Sequence, residues 1–137
     1  MTNDTTTRYI AIWIDRSPEE VYRFAADPRN LAAWASGLAG SLEQVGDEWV
    51  ASSPMGRARI RFAEPNGLGV LDHDVTLESG QTVHNPMRVM PSGGGSEVVF
   101  VLFRRPGVTD AELDADTAAV RRDLRTLKHL LEGLPLT

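Results

Sequence analysis

The sequence predicts an α+β domain, a curved antiparallel sheet of six to seven strands wrapped around one long C-terminal helix. Residues 109–133 write a single amphipathic helix, residues 41–103 read almost wholly as strands and turns, and two proline-capped short helices follow the first strand. A sheet with one apolar face and a helix with one apolar stripe each need a partner, and the economical solution is to bury one against the other.

The elements follow in order. Residues 1–7 are polar and are expected to fray. Tyr9 to Ile14 alternates, with Ile10, Ile12 and Ile14 on one face and Tyr9, Ala11 and Trp13 on the other, the period of a strand. Ser17-Pro18-Glu19-Glu20 supplies an N-cap, a proline at the first helical position and a capping-box glutamate. Val21, Phe24 and Ala25 form the buried side of that short helix. Asp27-Pro28 repeats the device and starts a second helix through Trp34, ended by Gly37 and Gly40. Strands then run over 41–45, 48–52, 57–62, 69–77, 81–90 and 97–103. Gly46-Asp47, Pro65-Asn66-Gly67, Ser79-Gly80 and Ser92-Gly93-Gly94-Gly95 are the turns. Pro86 interrupts one strand and predicts an edge or a bulge there. Consecutive strands joined by short turns imply an antiparallel meander.

The closing helix opens on Thr109, with Glu112 completing a capping box. Leu113, Thr117, Val120, Leu124, Leu127 and Leu131 recur three and four apart, and Gly133 and Pro135 stop the run. At 1.5 Å per residue it is roughly 35 Å long.

Composition bounds the function. The chain has 137 residues, 42% hydrophobic and 24% charged, which predicts a single domain over 1–137 with its own core. A net charge of −5 disfavours nucleic acid as a partner. The arginine groups 57/59/61 and 121/122/125 read as solvated faces of a strand and a helix. Without cysteine there is neither disulfide nor thiolate chemistry. The polar start lacks an apolar signal core, and no apolar run approaches the ~20 residues needed to span a bilayer. The expectation is therefore a cytoplasmic protein without membrane insertion.

The order of elements resembles the SRPBCC, or helix-grip, superfamily of START domains, Bet v 1-like proteins and polyketide cyclase/dehydrase-like proteins. The resemblance rests on Ile12-x-Ile14-x5-Glu20-Val21-Tyr22-x-Phe24 and on Asp27-Pro28-x-Asn30-x3-Trp34. Phe103-x2-Pro106-Gly107, leading to Asp123-Leu124-x2-Leu127-x2-Leu130-Leu131-Glu132, completes it over about residues 8–133. It implies the helix-grip fold, with a deep, mostly apolar pocket between sheet and helix. Members of that superfamily bind lipids, sterols, aromatic polyketides or hormones, act as cyclases or aromatases, or serve as adaptors. The signatures are architectural, so they do not choose a chemistry.

Strand alternation predicts which residues line that pocket. Ala58, Ile60 and Phe62 face inward and the neighbouring arginines outward. Leu71, His73, Val75 and Leu77 share a face opposite Asp72, Asp74 and Thr76, which are assigned to solvent. Val83, Asn85, Met87 and Val89 face inward, away from His84 and Arg88. Val98, Phe100 and Leu102 are preferred over the alternate set because that set carries Glu97. The helix contributes Thr117, Val120, Leu124 and Leu127, with Trp34 and Met55 at the rim. The ligand-binding set is Trp34, Met55, Ile60, Phe62, Leu71, His73, Asn85, Met87, Phe100, Val120 and Leu124, with His73 the one catalytic candidate.

His73 and Asn85 are the polar members. Each either orients a ligand or satisfies the other, a water or a helix group such as Asp116. Asp72-His73-Asp74 is not a metal cluster, because successive strand residues point to opposite faces. No G-x-S-x-G elbow and no phosphate loop occurs, and neither cofactor nor metal is expected.

The leading functional expectation is binding of a small hydrophobic or aromatic molecule, lipid-like or polyketide-like. The alternatives are a cyclase/aromatase-type enzyme and a protein-binding adaptor working through the outer sheet face. Tyr9 and Trp13, joined by Val99 and Val101, would give that face an apolar patch suited to a homodimer.

Overall fold

The computed structural model describes residues 6–35, 41–53 and 56–133. Its elements are β1 (Thr7–Ile14), α1 (Pro18–Ala25), a 3-10 turn (Pro28–Asn30), α2 (Leu31–Trp34), β2 (Ser41–Val45), β3 (Glu48–Ser53), β4 (Gly56–Phe62), β5 (His73–Leu77), β6 (Thr82–Asn85), β7 (Met87–Ser92), β8 (Gly95–Phe103) and α3 (Asp110–Gly133). The expected Gly37, Gly40 and Pro135 stops lie outside the described residues.

Every strand pairing is antiparallel, in two ladders ordered β1-β8-β7 and β2-β3-β4-β5-β6. Pro86 stands where the chain leaves one ladder for the other, since it has no N–H to donate to either. Its carbonyl accepts from Val101 N–H at 2.9 Å, so the crossing remains tied to β8. Two more bonds join the ladders, Leu71 N–H to Met87 O at 2.8 Å and Val89 N–H to Gly69 O at 2.9 Å.

The expected strand 69–77 is shorter than its pattern suggested. Asn66 folds the preceding loop upon itself: its side-chain oxygen accepts from Leu68 and Val70 N–H, and its amide donates to Glu64 and Val70 carbonyls. Gly69 follows with φ of 74°, and a Cβ there would lie 2.2 Å from Val89 O. Glycine alone fits both constraints. Residues 69–71 therefore run beside β7, and pairing with β4 and β6 belongs to β5 from His73 onward.

The core lies between α3 and the sheet. Ile10, Ile14, Val98 and Met87 from the strands meet Leu113, Leu124, Leu127 and Leu131 from the helix, with Val21, Leu31 and Trp34 closing one side. Val98 and Leu102 are buried, as the preferred face of the last strand requires. The capping box of α3 is formed in both directions: Glu112 N–H donates to Thr109 Oγ1 at 3.1 Å, and Thr109 N–H donates to Glu112 at 3.0 Å. Thr109→Ala is expected to lower stability by about 1 kcal/mol in urea unfolding. An unchanged midpoint would mean that packing alone sets the start of α3.

Candidate functional site

The sheet and α3 do not fill the space between them. A cavity of about 210 Å³ remains, closed on one side by α1 and α2. Its helical walls are Tyr22, Ala25, Leu31 and Trp34 from the short helices and Val120 and Leu124 from α3. Its sheet wall is Phe62, Leu71, His73, Asn85, Met87 and Phe100. The local reasons are those of the sequence. Ser17 caps the helix that carries Tyr22, Asp27 caps the 3-10 turn that leads into the one carrying Trp34, and β-strand alternation turns Phe62, His73 and Asn85 inward.

His73 sits between two aromatic rings, 6.0 Å from Phe62 and 5.9 Å from Phe100, centroid to centroid. Its Nδ1 lies 3.1 Å from the Leu71 carbonyl. A carbonyl can only accept, so Nδ1 carries the hydrogen and the neutral ring keeps its lone pair on Nε2. Burial pushes the imidazole pKa below its usual value, against smaller opposing effects of the Leu71 bond and of Asp72 and Asp74. His73 is therefore a neutral acceptor at pH 7. Asn85 stands directly across the ladder from it, and its side-chain amide bonds to no described residue. Neither His73 nor Asn85 satisfies the other, and Asp116 faces Arg105 instead, at 3.6 Å.

Residues 6–132 match the family described as polyketide cyclase / dehydrase and lipid transport. The chain belongs to this family. Solved structures with the same helix-grip fold include DynU16, a protein in the dynemicin biosynthetic locus (TM-score 0.72, 16% identity), which aligns with 96% of this chain. The chain spans about half of DynU16, 48%. The Aha1 dimer from Colwellia psychrerythraea is similar at TM-score 0.74 and 16% identity, over 93% of this chain and 95% of that one. Ara h 8.0201 is similar at TM-score 0.65 and 12% identity, over 95% and 99%. No curated protein matches the sequence.

In this polyketide cyclase/dehydrase-family protein, nine of the eleven sequence-derived site residues line this cavity: Trp34, Phe62, Leu71, His73, Asn85, Met87, Phe100, Val120 and Leu124. Ile60 does not. It faces inward as expected, but neighbours cover it completely, at 0% exposure, and leave it no surface toward the void. Met55 lies outside the described residues. Asp72 corrects the alternation in the other direction. Assigned to solvent, it borders the outer face and the cavity alike. Its carboxylate accepts from Met87 N–H and from both arms of Arg88 at 2.9 Å, and Arg88 holds its pKa below the usual carboxylate range. Tyr22, Leu31 and Asp123 were not anticipated as lining residues. Tyr22 and Leu31 sit on amphipathic turns whose buried face could have been extrapolated, whereas Asp123 looks like an ordinary surface acid of a helix.

The outer face also differs from its expected form. Tyr9 is exposed at 73% and Trp13 at 39%, but Trp13 is also engaged within the chain. Its indole N–H donates to Ser92 O at 2.9 Å, and the Lys128 ammonium lies 5.5 Å over its ring. Trp13 fastens the β7–β8 turn and α3 to β1.

The depressed His73 pKa has a measurable consequence. In the unfolded chain this histidine takes up a proton near pH 6.5, and in the folded chain only at lower pH. Stability is therefore complete above pH 6.5 and falls as pH drops from there toward the folded value. Asp72, Asp27, Glu112 and Glu132 are all shifted downward, chiefly by hydrogen bonds to Arg88, Arg29, Thr109 and Lys128, and they act only below the usual carboxylate values of 3.8–4.5. Between pH 6.5 and 4.5, wild type should lose stability faster than His73→Phe. Parallel curves for the two proteins would remove the buried, neutral histidine.

Proposed function

We propose that this protein holds one small, mostly apolar molecule of one or two rings in the cavity, with a hydroxyl or N–H group donating to His73. The observation that carries this reading is the void itself, lined mainly by apolar side chains and, on adjacent strands, by Nε2 of His73 and the Asn85 amide, which bond to no described residue. Size supports it. An apolar cavity of about 150 Å³ takes benzene, so about 210 Å³ suits a bicyclic body better than a sterol or an extended polyketide chain. The family description, which includes lipid transport and polyketide chemistry, agrees with an apolar occupant.

A cyclase or aromatase role needs a second group to move protons beside His73. Of its two acidic sequence neighbours only Asp72 borders the cavity, but its oxygens are committed to Met87 and Arg88 and its pKa is lowered, so it is a weak base. That favours carriage over turnover. An adaptor role would use the exposed Tyr9, Met90 and Phe103 on the outer side. Among the described residues no helix is long and apolar enough to cross a membrane.

The test compares 2-naphthol with 2-methylnaphthalene, nearly equal in size, by quenching of protein fluorescence. Wild type should prefer the naphthol, and His73→Phe should reduce that preference about tenfold, the value of one buried hydrogen bond. Saturable binding of neither probe would overturn the proposal.

A further inference from the structure

Trp34 lies against the cavity, is 7% exposed, and its indole Nε1 is a fully buried donor with no hydrogen-bond partner. Among the described residues it is the one buried side-chain nitrogen or oxygen left in that condition. Buried donors in native proteins are almost always paired, because an unmade bond costs the full desolvation of the group. Trp34 is set on α2, a single helical turn whose entry is fixed by the Asp27 cap and by Asn30 Nδ2 donating to Phe24 O at 3.2 Å. The position is thus held by the surrounding turns, while its polar atom is left unserved. A phenylalanine would fill an apolar wall without that cost.

We infer that Trp34 Nε1 is a second polar subsite of the cavity, one that donates to a carbonyl or comparable acceptor on the ligand. The inference rests on the ligand-binding reading above and narrows it. His73, neutral and protonated on Nδ1, offers an acceptor from the sheet wall, and Trp34 offers a donor from the α2 wall. The matching ligand is bipolar: an apolar ring body with a hydroxyl at one end and a carbonyl at the other, as in a hydroxyaryl ketone. Nε1 has almost no surface of its own on the cavity, so donation to that carbonyl requires the indole to rotate into the void as the ligand enters.

The experiment uses 2-naphthol and 6-acetyl-2-naphthol, which differ by the added acetyl group, titrated into wild type and Trp34→Phe. Nitrogen-edited NMR of the indole N–H groups runs beside it. The chain has three tryptophans, and Trp34→Phe identifies the resonance of Trp34. In wild type the ketone should bind about tenfold tighter than the naphthol. It should also move the Trp34 indole proton downfield, and Trp34→Phe should bind both probes alike. If the naphthol binds but the acetyl group adds no affinity and leaves that resonance in place, the subsite is overturned and the cavity reading stands. If neither probe binds, both fall. The resonance shift is read on the native protein, so it does not depend on the variant folding.

Discussion

Gly95→Val should be among the most damaging single substitutions in this protein, lowering stability by about 3 kcal/mol or more in denaturant unfolding. Gly95 opens β8, where that strand passes beneath the end of β1. A Cβ at this position would lie 2.4 Å from the Ile14 carbonyl oxygen and 2.7 Å from the Trp13 ring. The oxygen is backbone, so relief requires β1 and β8 to separate. The surroundings resist this, because Ser96 Oγ donates to Arg16 O at 2.7 Å and Glu132 of α3 accepts from Asp15 N–H at 2.9 Å. Gly94→Ala is the control, since nothing lies within 4 Å of a Cβ there. Its effect should stay within about 0.5 kcal/mol. Equal effects of the two would show that β1 and β8 yield at low cost.

Leu127→Ala should cost about 2–5 kcal/mol by the same measurement. Leu127 is 0% exposed and belongs to one cluster with Ile10, Ile14 and Val98, where α3 meets the sheet. The loss combines the transfer of the missing methyl groups with the hole they leave. For a domain whose total stability is typically about 5–15 kcal/mol, that is a large fraction. Arg121→Ala, on the exposed side of the same helix, should be nearly silent. A loss below about 1 kcal/mol at Leu127 would mean that α3 repacks freely on the sheet, and the cavity beside it would then have no fixed walls.

The two kinds of position differ in how readable they are. Leu127 announces itself through helical spacing from Leu113 to Leu131, and the Thr109–Glu112 box marks where that helix begins. Gly95 reads in isolation as part of a flexible glycine turn. Its real constraint is the carbonyl of a residue 81 positions earlier, which no local pattern can reveal.

The candidate site divides along the same line. Phe62, His73, Asn85 and Met87 were legible because a strand has period two and one face was apolar. Val120 and Leu124 were legible from the helical stripe. Asp72 was assigned to the outer face, where its carboxylate does meet Arg88, but alternation gave no sign that the residue also borders the cavity. Ile60 was placed on the right face and in the wrong role, since alternation gives a side chain's direction but not the distance to whatever stands opposite.

The amino-acid pattern alone determined the antiparallel sheet, its long covering helix, the two capped turns and the inward placement of His73 and Asn85. These are local consequences of period, capping and proline. Only the tertiary structure decided that about 210 Å³ stays unfilled, that Nδ1 of His73 is committed to Leu71 while Nε2 is not, and that the Trp34 indole is left without an acceptor. Void volume and unmet hydrogen bonds depend on how distant side chains pack together, and that sum is not written in any one stretch of the chain.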